Sequence, residues 1–160
     1  MKAKREALVA VCLAAAALTL GVPSCRARQA QPKVIINGQA FAVELADTQA
    51  KRAIGLSNRQ PLPGDRGMLF IFEEPQNLQF HMKDCYSPID IAFIDSAGRI
   101  VNIDTMAVES DPANPRRIYQ SDRPAQYALE TAGGTFARIA AQPGMQAEFV
   151  GVGKGKEPGR

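Results

Sequence analysis

Between Lys33 and Val150 short apolar runs alternate with turn-forming residues, and this punctuation constrains the fold more than any other feature of the chain. PKVIINGQAFAVELA reads as two strands joined at Asn37-Gly38, a dipeptide suited to a type I′ hairpin turn. In the second strand Phe41, Val43 and Leu45 alternate with Ala42 and Glu44, the period of two expected of a half-buried strand. Asp47-Thr48 supplies an N-cap for a short helix, TQAKRAIGL, that ends near Gly55. LSNRQPLPGDRG is a loop, because its prolines and glycines continue neither element. GMLFIF is apolar throughout, as expected of a strand covered on both faces. NLQFHM follows, and Pro88 opens IDIAFID. Ser96-Ala97-Gly98 turns the chain into RIVNIDTMAV, and VESDPANPRR is a surface loop. PAQYALETA alternates again, Gly133-Gly134 breaks the chain, TFARIAA forms one or two helical turns, and MQAEFVG is the last strand. Many short strands with two slight helices predict a mainly β fold, a compact antiparallel sandwich or barrel.

The first 24 residues stand apart from this pattern. Lys2, Lys4 and Arg5 precede an Ala/Leu/Val-rich run from Ala7 to Val22, the layout of a secretory signal peptide. The run ends too soon, at Gly21 and Pro23, for a membrane span. Val22-Pro23-Ser24-Cys25 resembles a bacterial lipobox, which makes Cys25 the expected lipidation site. Cleavage near Ala27 by the general signal peptidase is the alternative. The expected organisation is a signal peptide over 1–24, a polar tether over 25–32, one β domain over 33–150 and a disordered tail over 151–160. Such a chain is placed outside the cytoplasm, lipid-anchored in the periplasm or at the outer membrane, or else soluble and secreted.

Removing residues 1–24 lowers Lys plus Arg from 19 to 16 and Asp plus Glu from 16 to 15, leaving a net charge of +1. No long basic run remains to track a phosphate backbone, so nucleic acid is not an expected partner. Cys12 leaves with the signal and Cys25 carries lipid, so Cys85 has no partner for a disulfide. GxGxxG, Walker, GxSxG, HExxH and paired CxxC motifs are absent from the sequence.

FHMKDCYSPIDIAFID, residues 80–95, gathers most of the chemistry-bearing side chains. His81, Met82 and Cys85 offer imidazole, thioether and thiolate, a set that suits copper. Side chains alternate along a strand, however, so His81 and Met82 reach one ion only if the chain bends. The plainer reading is a partly exposed histidine, a space-filling methionine and a buried thiol. Cys85 with His81 as its base would need a depressed thiol pKa and a base within reach. Asp90 interrupts the apolar run Ile89 to Ile94, so it faces water or is buried with a partner, for which Lys83, Arg52 and Arg59 are candidates. Glu130 likewise breaks an apolar alternation before the glycine pair, either bonding that turn or lining a cleft with Lys83.

Taken together, ELADTQAKRAIGL, RGMLFIF, FHMKDCYSPIDIAFID with AGRIV behind it, and YQSDRPAQYALETAGG resemble the domain of unknown function 192 family in order and spacing, over residues 33–150. The resemblance implies a jelly-roll-like β fold in a small, often exported protein, and no established activity. Met68, Met82, Lys83, Asp90 and Glu130 match residue types typical of the family. His81, where the family carries an aromatic, and Asp84-Cys85, where it carries Asn-Thr, belong to this branch. The expected function is therefore a ligand-binding or interaction module of the cell envelope. Its ligand groups would be Lys83, Asp90, Glu130 and Met82, its ligand a small molecule or envelope component, and its membrane contact the lipid at Cys25. The alternatives are an envelope hydrolase acting through Asp90 and Glu130, and a copper protein using His81, Met82 and Cys85. No catalytic residue, cofactor or resident metal is expected on the leading reading.

Overall fold

The structure, a computed structural model, describes residues 31–153. The expected signal peptide, Cys25 and most of the expected tail lie outside the described residues. Nine strands and two short helices follow one another: β1 (Lys33–Ile36), β2 (Gln39–Ala46), α1 (Gln49–Ile54), β3 (Arg66–Gln76), β4 (Gln79–Phe80), β5 (Ile89–Ile94), β6 (Ile100–Met106), β7 (Tyr119–Gln120), β8 (Ala125–Ala132), α2 (Thr135–Arg138) and β9 (Ala147–Val150). The fold is mainly β, as the turn spacing predicts.

Seven of the strands form one sheet in the order β6-β5-β8-β3-β2-β1-β9, and β4 pairs with β7 separately. Asn37 and Gly38 take the left-handed φ values, 47° and 79°, that a type I′ turn requires. Thr48 Oγ1 accepts the Lys51 N–H at the start of α1, and the Gly55 N–H returns to the Lys51 carbonyl at its end. The connection through α1 makes β2 and β3 parallel, whereas the other pairings of the sheet are antiparallel. NLQFHM contributes only the two residues of β4.

The sheet curls until its two ends meet. The Ile100 N–H, at the start of β6, donates to the Met145 carbonyl, and the Ala147 N–H, at the start of β9, donates to the Gly98 carbonyl. Val34, Phe41, Leu69, Ile94, Leu129 and Phe136 belong to a buried cluster to which every strand of the sheet contributes, so it fills the inside of the curl. A second cluster, with Met68, Phe70, Met82, Ile91, Phe93 and Met106, lies on the outer face. The loop after α1 and the segment before β5 cover it, through Leu56, Leu78, Met82 and Cys85. Because β8 sits between β3 and β5 with both faces covered, Ala128, Leu129, Glu130 and Thr131 are all buried. This is why PAQYALETA, which reads as half-buried, buries both faces in its second half.

Candidate functional site

A cavity of about 300 Å³ lies on the outer face, between α1, β3, β4 and the segment that follows β4. Phe70, Phe72 and Phe80 form much of its wall, with Arg52 from α1 and His81 and Cys85 from the segment before β5. Glu130 enters it from β8. Register places Glu130 opposite Met68 of β3 and Ile91 of β5, so it shares their face of the sheet. It is only 4% exposed. Its pKa is pushed up to about 8 by burial alone, with no hydrogen bond and no neighbouring charge to offset it. The carboxyl is therefore largely protonated at neutral pH.

Local sequence explains the shape. Gly55 ends α1 with φ 51°, and a Cβ there would stand 3.3 Å from Phe70 Cζ. Glycine thus lets the helix end close over the ring. Arg52 Nη1 donates to the Ile71 carbonyl at 2.8 Å, and its guanidinium carbon lies 5.0 Å from the Phe72 ring centroid. The segment before β5 is tied down from both sides. The Asn58 N–H donates to the Asp84 carbonyl, Ser57 Oγ to the Lys83 carbonyl, and the Asp84 N–H to the Pro112 carbonyl.

The residues singled out from the sequence divide between several places. Asp90 is 1% exposed, yet none of the expected cations reaches it. Its two oxygens accept the Thr105 hydroxyl at 2.8 Å and the Phe136 N–H at 2.9 Å, which tethers the start of α2 to β5. Asp90 alternates with Ile89 and Ile91 and lies opposite Thr131, so it faces away from the side that Glu130 occupies. The two acids do not share a cleft. Arg59 forms a two-pronged pair with Glu44 at the surface, and Lys83 is exposed. Met82 is fully buried in the outer cluster with Met68, while His81 is exposed, its Nδ1 accepting the Lys83 N–H at 3.3 Å. Cys85 has its thiol pKa raised to about 11, by burial first and then by the Glu130 and Asp84 charges. A thiol so disposed is a poor nucleophile. Among the described residues no three His, Cys, Asp or Glu side chains gather as a metal-holding group.

The sequence offers Arg52 only as a candidate partner for Asp90, and does not single out Phe72 or Phe80 as site residues. A basic residue on a short helix and apolar residues near strand ends are their signals, and many packed elements share those features. Among the described residues the buried side-chain polar atom without a hydrogen-bond partner is Thr131 Oγ1, beside a space of about 10 Å³, enough for a water and no more.

Comparison with known proteins gives the family. Residues 33–149 match DUF192, the domain of unknown function 192, described as an uncharacterized ACR. The chain belongs to this family. It is 30% identical over 110 residues to a UPF0127 protein of Pyrococcus abyssi, spanning 68% of this chain and 86% of that one. Two crystal structures share the fold. A proposed transcription regulator of Sinorhizobium meliloti 1021 superposes with a TM-score of 0.66 at 35% identity, over 76% of this chain and 93% of its own. A protein of unknown function from Novosphingobium aromaticivorans DSM 12444 gives 0.65 at 33% identity, over 73% and 82%.

Proposed function

We propose that the chain is an exported, lipid-anchored binding module of the cell envelope, and that it holds a small ligand in the cavity between α1 and the outer face of the sheet. Glu130 is the observation that carries the ligand site. An acid this deeply buried is costly to leave without a partner, and here it opens on a space of ligand size. Ligand-binding sites are characteristically apolar clefts with a few convergent polar groups and a perturbed titratable residue.

Export and anchoring rest on the N-terminal sequence. The basic start, the apolar run and the lipobox-like Val22-Pro23-Ser24-Cys25 precede the family match, which begins at residue 33. Nucleic acid is left out of the reading. The six residues of α1 and the four of α2 are short for a recognition helix, which favours a small ligand over a duplex.

The test is native mass spectrometry of the full chain isolated from its own envelope, beside Ala53→Trp. Ala53 lines the cavity from the exposed face of α1, so tryptophan there fills the space without disturbing the core. A noncovalent adduct on wild type that is lost from Ala53→Trp is expected. Wild type free of any adduct, or an adduct unchanged by the substitution, would count against the site.

A further inference from the structure

We infer that this cavity takes a small organic cation, a protonated amine on an apolar body, with the ammonium against Glu130 and the body along Phe70, Phe72 and Phe80. The inference rests on the cavity being a ligand site and adds the chemical class of the ligand.

Three observations converge on a cation. The first is an acid without a base. The basic side chains lining the cavity are Arg52 and His81, and neither pairs with Glu130. Arg52 is committed to the Ile71 carbonyl and the Phe72 ring, while His81 is exposed and bonds the Lys83 N–H. The thiol of Cys85, the remaining titratable group there, supplies no positive charge. The second is the aromatic wall. Phe70 and Phe80 lie edge to face at 4.9 Å, and Phe72 borders the same space. Aromatic rings attract an ammonium through their quadrupole, and more strongly when water is excluded. The third is size. A volume of about 300 Å³ is at the small end for ligand sites, which suits a single ring or short aliphatic body carrying one amine.

The proton balance follows. The amine arrives already protonated, and Glu130, neutral in the empty cavity, releases its proton to solvent as the ion pair forms. Binding should therefore release about one proton at pH 7, and the apparent affinity should rise about tenfold per pH unit between pH 6 and 7, levelling off above about 8.

Isothermal titration calorimetry of the full chain with three matched probes tests this: 2-phenylethylamine, 2-phenylethanol and phenylacetate, each in two buffers of different ionisation enthalpy. We expect the amine to bind about tenfold or more tighter than the alcohol, with phenylacetate weakest. Glu130→Gln should erase the preference for the amine and the proton release while still binding the alcohol. His81→Phe, which removes the one imidazole lining the cavity, should leave the pH profile in place. Equal or tighter binding of the alcohol, or amine binding without proton release, would overturn the cation while leaving the cavity a ligand site. If none of the three probes binds at millimolar concentration, both readings fall.

Discussion

A buried carboxyl without a partner opposes its own ionisation, and Glu130 is such a group. Folding raises its pKa from 4.5 to about 8, so the folded chain holds a proton that the unfolded chain has released between those values. Stability is thus fully retained below about pH 4.5 and falls as pH rises through 8, by up to about 5 kcal/mol if burial is complete. Glu130→Gln should remove most of that decline. Denaturant melts at pH 5 and pH 9 should show the variant little changed at the first and clearly more stable at the second. Asp90 is buried too, but both its oxygens are in use. Asp90→Ala should destabilise by about 2–3 kcal/mol by orphaning the Phe136 N–H and the Thr105 hydroxyl. Asp90→Asn, which keeps an acceptor, should lose clearly less in the same denaturation experiment. Both acids were visible in the sequence as breaks in apolar runs. The partners of Asp90 were not, since Phe136 lies 46 residues away and nothing local announces the contact. Period-two alternation does assign alternate faces within one strand. It gives no registration between IDIAFID and PAQYALETA, so Asp90 and Glu130 could be paired in one cleft on paper.

At the level of elements, turn chemistry was the most legible information in the chain. Asn37-Gly38, Thr48 with Gly55, and Ser96-Ala97-Gly98 each mark a boundary that the backbone keeps. Asp95 also caps its turn as its place before Ser-Ala-Gly implies, accepting the Ala97 and Arg99 N–H groups. The parallel pairing of β2 with β3 was not legible. Either direction is compatible with a short helix and a loop between two apolar strands, and only the return of the chain beneath α1 decides it. Nor were β4 and β7, because two residues carry no periodicity. Gly98 joins the turn to the closure of the sheet. Its φ is +80°, and an added Cβ would meet Gln146 Nε2 at 2.5 Å and the Ala147 carbonyl at 3.1 Å. Gly98→Ala should therefore lose about 1–3 kcal/mol, combining backbone strain with a forced separation of β6 and β9. Amide hydrogen exchange should localise the loosening to Ile100 and Ala147, whose N–H groups close the curl. Protection there equal to wild type would show that the curl does not depend on this contact.

For the whole molecule, the family match and the first strand both start at residue 33. The eight residues from 25 to 32 can span at most about 28 Å when extended, so lipidation at Cys25 would hold the domain close against the bilayer. Cys25→Ala should shift the protein from the membrane fraction to the soluble envelope fraction, read by fractionation and immunoblotting. Wild-type protein already soluble, with an N-terminus near Arg28, would instead favour general signal-peptidase cleavage. Lys33 and Val150 are direct partners in the pairing of β1 with β9. The path of the polypeptide thus comes back to its own starting point, and connectivity becomes separable from architecture. Joining 150 to 33 through a short linker and opening the chain within residues 107–118 would rewrite the order of the strands along the gene while leaving their neighbours unchanged. In such a permuted chain a lipid anchor, were Cys25 lipidated, would attach at a different place on the molecule, turning the mouth of the cavity toward the bilayer or away from it.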